Sequence, residues 1–412
     1  MVTHHRPGIY RRALNRWGVA RLAALGCASG LAAIMTAALA VSGVTRATNP
    51  EVSLRYLPGD SLALATLAEQ LVAQSPDAPP SRSGTLAMAA LRQQPLNPKA
   101  LRVLAVLAAQ KSDAKKASAL IRLAEGQSRR DVGTQLWLIE EAVQRGDTRQ
   151  ALAHYDIALR THPNAFTTLF PILLTAVDTP QIRQALAPYI RRDELWAPQF
   201  MAHAIENSSN LPALVDLLLG SGGLHDPTAS RAQGFNLVNR LISVGLFAQA
   251  RRLYAGIHGT NPARLTDTGF TFGEGASPPD PLNWQLRSDA DASGQFLAGA
   301  NGRPQLSLLV APATTATVAS KLLFVSPRRY RLSATVPVID ADEGAALRWQ
   351  LRCPSVGGRP IWSTAIPAGA SSADVVIPRD CTVQYLDLVA GGGSGTKGIS
   401  ATISQVVLRP VP

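Results

Sequence analysis

The chain has 412 residues, of which 46% are hydrophobic and 17% are charged. This composition argues against a disordered protein, and the chain is long enough for two or three folded domains. The formal net charge is +12, yet six arginines and no acidic residue lie in residues 1–46, whereas residues 266–412 hold 12 basic and 11 acidic residues. A nucleic-acid-binding domain carries a basic stripe on its folded part. The distribution of charge therefore argues against a nucleic-acid partner.

The first predicted element is a membrane helix. Residues 22–45 are uncharged and long enough to span a bilayer as a helix, and the arginines before them predict that residues 1–21 stay in the cytoplasm. Ala38-Leu39-Ala40 resembles a cleavage site, so a cleaved signal peptide is the alternative. Because the apolar stretch exceeds a usual signal sequence, we expect a retained signal anchor in a bacterial inner membrane, crossed once. Most of the chain would then be periplasmic, after a linker at residues 46–60.

A helical pattern follows the linker. Ala151, Tyr155 and Ala158 lie four and three residues apart, so they share one face of a helix. Asp147 is placed to cap this helix, and Pro163 to stop it.

The same pattern recurs along the chain at a fixed interval. One interval before Ala151, Tyr155 and Ala158 lie Ala117, Ile121 and Ala124, and one interval after the first two lie Ala185 and Tyr189. Ala250 and Tyr254 repeat the internal spacing out of phase. We interpret all of these residues as packing positions within a helical array.

These residues resemble the tetratricopeptide repeat, a helix–turn–helix unit of about 34 residues, and the interval in this chain has the same length. In that family a small residue, an aromatic residue, an alanine and a proline mark the second helix, and Ala151, Tyr155, Ala158 and Pro163 match them. The resemblance implies an α-solenoid over residues 61–261. It also implies a concave wall that binds a peptide or a protein partner.

From about residue 262 the pattern changes to short alternating runs separated by Pro and Gly. Eight such runs predict an antiparallel β-sandwich or jelly roll over residues 262–412. The predicted fold class is therefore multidomain, with a tetratricopeptide-like α-solenoid followed by a β-sandwich.

Alternation in the run ALRWQLRC assigns its residues to two faces. Trp349 belongs to the apolar face and should be part of the core, whereas Arg348, Gln350 and Arg352 belong to the polar face. Cys353 and the only other cysteine of this part of the chain, Cys381, are expected to form a disulfide, because export brings them into a compartment where disulfides persist.

The strand number, the spacing and an early strand that contains Trp284 resemble the jelly-roll modules of carbohydrate-binding and galactose-binding-like proteins. The resemblance implies a glycan site, with Trp362 as an aromatic platform and Arg348, Gln350 and Arg352 as a polar wall. A module that binds a protein, or that is purely structural, is the alternative.

One segment has the spacing of calcium ligands. Asp289, Asp291 and Ser293 resemble the start of a calcium loop, although Ala300 at the twelfth position excludes an EF-hand. A structural calcium and a solvated turn are the two interpretations. We predict no other cofactor and no other metal site.

No familiar catalytic motif is present, including HExxH, CxxC and G-x-S-x-G. The sequence therefore predicts a binding protein of the cell envelope, not an enzyme. It would assist the assembly or export of a cell-surface polysaccharide, with a protein partner on the solenoid and a polysaccharide on the sandwich. The alternatives are a scaffold of an envelope complex without glycan binding, and a glycan-active enzyme whose carboxylates meet only in the fold.

Overall fold

The computed structural model describes residues 9–74, 81–192, 194–272, 278–357 and 359–412. The chain divides into two compact units, residues 1–166 and residues 167–412. Helices form the first unit and the start of the second, and antiparallel β-sheets follow, as the predicted fold class requires. The predicted boundary between residues 261 and 262 lies between the last α-helix and the first strand, whereas the division into compact units falls within the helical part.

The described residues of the first unit form eight complete α-helices. They are α1 Ile9–Thr45, α2 Pro50–Tyr56, α3 Ser61–Gln74, α4 Ser81–Gln93, α5 Pro98–Gln110, α6 Ala114–Gln127, α7 Val132–Gln144 and α8 Thr148–Thr161. Within α1, the segment Ala24–Thr45 has a mean hydropathy of 1.9, and most of it is exposed, with Ser42 near its end as a buried residue. By length and composition it is able to act as a membrane anchor or as a signal sequence.

Residues 46–60, predicted as a linker, contain the helix α2. Near the end of α1, Ser42 Oγ lies 2.8 Å from Ser53 Oγ of α2 and also donates a hydrogen bond to Asp60. Asp60 accepts backbone N–H groups at the start of α3 with its other carboxylate oxygen. Ser42 and Ser53 are both buried. A chain of hydrogen bonds therefore connects the first three helices.

The predicted repeat period is visible in the helix bounds. The bounds of α5 and α6 recur one period later as those of α7 and α8. The helix caps follow the same period, because Asn97 and Asp131 cap α5 and α7, and Asp113 and Asp147 cap α6 and α8. These two copies show a repeated helix pair, and membership of the tetratricopeptide family stays a prediction.

A cluster of ion pairs connects three of these helices. Arg102 of α5 contacts Glu69 of α3 at 2.8 Å and Asp131, the cap of α7, at 2.7 Å, and Lys99 contacts Glu69 at 2.9 Å. Burial opposes ionisation of the two carboxyls, but their polar partners outweigh it and lower both pKa values: Arg102 and Lys99 act on Glu69, and Arg102 and Thr134 on Asp131. The cluster therefore fixes the spacing of α3, α5 and α7.

The helices of the second unit precede its strands. They are α9 Phe166–Ala176, α10 Pro180–Arg191, α11 Ala197–Asn207, α12 Leu211–Ser221, α13 Pro227–Ser243 and α14 Phe247–Gly256. Here α10 packs on α12, α12 on α14, and α11 on α13. Large buried residues fill the space between these helices, among them Phe200 and Tyr254 on the helices and Trp196 directly before α11.

Twelve strands are described in the second unit. They are β1 Gln285–Leu286, β2 Ala292–Ala298, β3 Pro304–Val310, β4 Thr315–Leu323, β5 Arg329–Val336, β6 Val338–Ala341, β7 Ala346–Arg352, β8 Pro360–Ala365, β9 Gly369–Val376, β10 Gln384–Gly391, β11 Ile399–Ile403 and β12 Gln405–Pro410. Sheet A has the order β1-β4-β10-β7-β8, sheet B the order β2-β3-β11-β6, and sheet C the order β12-β5-β9. The paired strands of all three sheets are antiparallel.

The three sheets surround one hydrophobic core. Sheets B and C join through strands that are nearly continuous, because only Ser404 separates β11 from β12 and only Pro337 separates β5 from β6. Trp284 and Trp349 lie in this core with ring centroids 6.0 Å apart, as their alternation predicts. The predicted disulfide between Cys353 and Cys381 is confirmed. The result is a β-sandwich whose outer faces carry the polar side chains of each strand.

Polar contacts join the last helix to the sandwich within the second unit. Tyr254 of α14 donates a hydrogen bond of 2.8 Å to Asp280, which also pairs with Arg264 at 2.6 Å. Lys321 of β4 is 2% exposed and donates to the backbone carbonyls of Arg264 and Leu282. The boundary region between helices and strands is therefore a packed part of this unit.

Candidate functional site

The structure divides the residues predicted to bind glycan between the two faces of sheet A. Arg348, Gln350 and Arg352 lie on the outer face of β7, as the alternation predicts. Trp362 on β8 is paired directly with Leu351, which is 1% exposed, and it packs against the sandwich core. Directly paired residues share a face. Trp362 therefore lies on the inner face, which corrects the predicted grouping.

Asp387 of β10 stands at the centre of the outer face, next to Gln350 on one side and Ser320 on the other. Ser320 donates a hydrogen bond of 2.6 Å to Asp387 Oδ1, and the guanidinium of Arg352 donates to both carboxylate oxygens. Asp387 is only 1% exposed, although it lies on the outer side of the sheet. Its neighbours on β4 and β7 thus cover the carboxylate and donate hydrogen bonds to both of its oxygens.

Tyr385 extends this arrangement along β10. It is paired with Arg352, whose guanidinium carbon lies 5.1 Å from the centroid of the tyrosine ring. The hydrogen bond to Asp387 raises the pKa of Arg352, and burial raises the pKa of Tyr385. Arg352 is therefore a charged part of the surface whose guanidinium is held by Asp387. We call the group Ser320, Arg348, Gln350, Arg352, Tyr385 and Asp387 the polar patch.

Two members of the polar patch remain available to a ligand. Arg348 is exposed and makes no ion pair with any part of the chain that the structure describes, and Gln350 is partly exposed. A guanidinium and an amide offer several donors and one acceptor side by side. Tyr385 is partly exposed on the same face, where it is paired with Arg352 and lies diagonal to Gln350, so this face is suited to a ligand that has both hydroxyl groups and an apolar face.

Sequence reasoning missed Ser320, Tyr385 and Asp387. The signal was present in the run TVQYLDLVA, where Tyr385 and Asp387 alternate with the buried residues Leu386 and Leu388. What the sequence did not supply was the strand order, which places β10 between β4 and β7. Without that order the three strands could not be assigned to one surface.

The other side of the sandwich has a polar cavity. It lies on the outer face of sheet C, has a volume of about 180 Å³ and is lined by residues that include Ser333, Thr335, Gln405 and Arg409. Beside it, Arg331 pairs with Asp374 through two hydrogen bonds of 2.7 and 3.2 Å. None of the predicted site residues lies here, so this face provides a comparison surface.

The segment with calcium-ligand spacing forms a turn followed by a strand. Asp289 accepts hydrogen bonds from the backbone N–H groups of Asp291 and Ala292 and pairs with Arg287 at 2.5 Å, while Ser293 lies in β2. Hydrogen bonding from Arg287 lowers the pKa of Asp289. Within the described residues no group of three or more His, Cys, Asp or Glu side chains is placed to hold a metal. The carboxylate of Asp289 thus has a cation partner from its own chain.

Most of the predicted repeat residues are buried between helices. They are Ala117, Ile121, Ala124, Ala151, Tyr155, Ala158, Ala250 and Tyr254. Pro163 begins a short 3₁₀ helix directly after α8. In α10 the buried side chains are Leu186 and Ile190, whereas Ala185 and Tyr189 are partly exposed. The apolar face of α10 is therefore shifted by one residue from the phase that the repeat predicts.

His154 of α8 is buried and only 6% exposed. Its Nδ1 lies 2.8 Å from the side-chain oxygen of Gln135 on α7. Burial lowers the pKa of this imidazole. Because α8 packs against α7 along this face, His154 belongs to the interior of the repeat.

No protein-family model matches the sequence, and no curated protein matches it. Solved structures are similar to about a third of the chain. TmCBM61 in complex with β-1,4-galactotriose is 11% identical over 31% of this chain and 88% of that chain, with a TM-score of 0.22. The CBM22-1 xylan-binding domain from Paenibacillus barcinonensis Xyn10C is 12% identical over 36% of this chain and 94% of that chain, with a TM-score of 0.25.

The enzymatically active domain of tailspike protein 4 from bacteriophage CBA120 is 12% identical over 31% of this chain, with a TM-score of 0.23. This chain spans only 19% of the length of that structure. These TM-scores are too low for the similarities to support a conclusion about function. The residues of this chain must therefore support any functional proposal.

Proposed function

We propose that this protein is a membrane-anchored binding and scaffold protein of the bacterial cell envelope that assists the assembly or export of a cell-surface polysaccharide. In this proposal α1 stays in the inner membrane and the rest of the chain, after residue 46, lies in the periplasm. The helical part docks a protein partner and the sandwich contacts the glycan. The protein acts by binding and catalyses no reaction.

Two features support the proposed location. The apolar segment Ala24–Thr45 has the length of a membrane span. The disulfide between Cys353 and Cys381 is of a kind that persists in oxidising compartments such as the periplasm. The hydrogen bonds from Ser42 to α2 and α3 would hold the helical part close to the membrane from which α1 emerges.

The polar patch is the observation that best supports contact with a glycan. Hydroxyl groups of a sugar both donate and accept hydrogen bonds, and Arg348 and Gln350 offer both functions on one exposed surface. The ring of Tyr385 is partly exposed beside the guanidinium of Arg352, and its remaining apolar surface would contact the face of a pyranose. Because Arg352 is held by Asp387, the surroundings of these groups are ordered before binding, which reduces the entropy lost when a ligand binds.

The test is the binding of the full chain, in detergent micelles, to a panel of bacterial surface polysaccharides. We expect selective binding by the native protein and at least about ten-fold weaker binding by the Arg348→Ala, Gln350→Ala double variant, since each lost hydrogen bond weakens binding several-fold. Arg331→Ala, on the outer face of sheet C, is the matched control and should bind like the native protein.

Absence of binding by the folded native protein, or equal binding by the double variant, would contradict glycan contact through the polar patch. Loss of binding in Arg331→Ala alone would place the glycan on sheet C instead. A chain that binds no glycan at all would fit the alternative function, a scaffold of an envelope complex.

A further inference from the structure

The first unit contains a cavity of about 630 Å³ between the pair α5 and α6 and the following helix α7. One side is lined by small residues of the first pair, which are Ala109, Ser112, Ala114, Ala117 and Ser118. The other side is lined by residues of α7, which are Trp137, Glu140, Glu141 and Gln144. The small side chains leave a space that the repeat itself does not fill.

The lining combines an aromatic ring with negative charge and includes no basic residue. Trp137 is partly buried and packs on one side against the core formed by Ile121 and Leu138. Its indole therefore has a fixed position while part of its surface faces the cavity. An indole face attracts cations more strongly than the ring of Tyr or Phe does.

The two carboxylates differ in their partners. Glu141 pairs with Arg145 at 2.6 Å, so its charge is largely compensated. Glu140 accepts a hydrogen bond of 2.9 Å from the amide of Gln144, and in the described parts of the chain no Lys or Arg pairs with it. Burial is the main cause of the raised pKa of Tyr155, and the negative charge of Glu140 is the second cause. Glu140 is therefore an uncompensated negative charge at this cavity.

Other charges limit how far this attraction reaches. Three exposed lysines adjoin lining residues in the sequence, and they are Lys111, Lys115 and Lys116. They reduce the long-range attraction of the cavity for a basic partner. Recognition must then come from short-range contacts inside the cavity, with the ring of Trp137 and the carboxylate of Glu140.

We propose that this cavity receives an arginine or lysine side chain from an extended segment of a partner protein. The cation lies over the indole of Trp137 and donates hydrogen bonds to Glu140, and the small residues of α5 and α6 accommodate the aliphatic part of the side chain. Arginine fits both contacts better than lysine, because a planar guanidinium stacks on an aromatic ring and donates in two directions. The proposal rests on the proposed docking function of the helical part and defines the chemistry of the partner.

The test uses the full chain in detergent micelles and a fluorescein-labelled short peptide of alternating Arg and Ser, with fluorescence anisotropy as the readout. We expect binding of this peptide and no binding of a matched peptide with Glu in place of Arg. Glu140→Gln should weaken binding about ten-fold, because it removes one charged hydrogen bond and the attraction between the charges. Glu51→Gln removes an exposed acidic residue of the same unit and is the control, with unchanged binding expected.

Trp137→Leu tests the aromatic contact and should also weaken binding several-fold. Because Trp137 packs on core residues, the Trp137→Leu variant must first be shown to be folded by its circular dichroism melting curve. Glu140 is exposed, so its variant provides a test that does not depend on the folding of the tryptophan variant.

Lack of binding by the native protein, or equal binding by the native protein and Glu140→Gln, would overturn the proposal. The glycan assay on the polar patch is independent of this experiment, since it concerns residues of the other unit. A protein partner that co-purifies equally with the native chain and with Glu140→Gln would exclude this cavity while leaving the docking function intact.

Discussion

Lys321 should make the stability of the second unit depend on pH in an unusual direction. The ammonium group is buried, and burial lowers its pKa from 10.5 to about 8, against the opposing effect of Asp267 and Asp280. A lysine whose pKa is lower in the folded state than in the unfolded state binds fewer protons when folded between these two values. The free energy of unfolding should therefore increase as pH rises from 8 towards 10.5, the reverse of the usual alkaline loss of stability.

The magnitude follows from the two pKa values. A difference of one unit corresponds to about 1.4 kcal/mol, so burial of the charged lysine costs about 3 kcal/mol at pH 7. About 2 kcal/mol of this cost should be recovered between pH 7 and pH 9.5. The upper limit of the measurement is pH 9.5, because Tyr385 is also partly buried and has a raised pKa. Ionisation of this phenol at higher pH would reduce stability independently of Lys321.

The assay is urea-induced unfolding of the full chain in detergent, measured by pulse proteolysis at pH 7 and at pH 9.5. The native protein should gain about 2 kcal/mol relative to Lys321→Met over this interval. Lys397→Met changes an exposed lysine of the same unit and should behave like the native protein. Equal pH dependence of the native protein and Lys321→Met would refute the argument from burial.

Three further substitutions test the packing of both units by urea unfolding. Ser112→Gly should stabilise the first unit by about 1 kcal/mol, because Ser112 has a positive φ of 62° that glycine adopts without strain. Arg102→Met should destabilise it by about 3 kcal/mol, because it leaves the carboxylates of Glu69 and Asp131 without their shared cation. Trp362→Ala should destabilise the second unit by about 2 kcal/mol and leave glycan affinity unchanged, because its side chain packs on the core.

Each of these changes has a matched control in the same unit. Gly146 occupies the turn one repeat after Ser112 with a φ of 70°, so Gly146→Ala should destabilise by about 1 kcal/mol. Arg145→Met breaks an exposed pair and should cost at most about 0.5 kcal/mol. Ile361→Ala alters an exposed neighbour of Trp362 and should have a small effect. Equal effects of variant and control in any pair would contradict the corresponding argument.

The periodic parts of the fold were the parts that could be predicted from the sequence. A constant interval between caps and between small residues is local information, and the bounds of α5 to α8 reproduce it. In α10 the buried residues are Leu186 and Ile190, whereas the repeat period predicts Ala185 and Tyr189. Large aliphatic side chains determine the buried face there, because they gain more from burial than alanine does.

The elements that sequence reasoning missed depend on contacts between distant residues. Helix α2 is only seven residues long, and its contact with Ser42 of α1 supports it. Strand β8 contains Trp362, and pairing with β7 determines which face this residue occupies. Likewise, Asp387 joins the polar patch only because β10 is inserted between β4 and β7. Neither strand order nor register can be read from alternation alone.

Contact of an exported, anchored chain with a surface polysaccharide through the polar patch can be measured in the cell envelope itself. The measurement is the amount of polysaccharide that co-purifies with the full chain after its extraction from membranes. We expect polysaccharide with the native protein and a strong depletion with the Arg348→Ala, Gln350→Ala double variant. Equal amounts with both proteins, or none with the native protein, would show that the polar patch does not contact the polysaccharide.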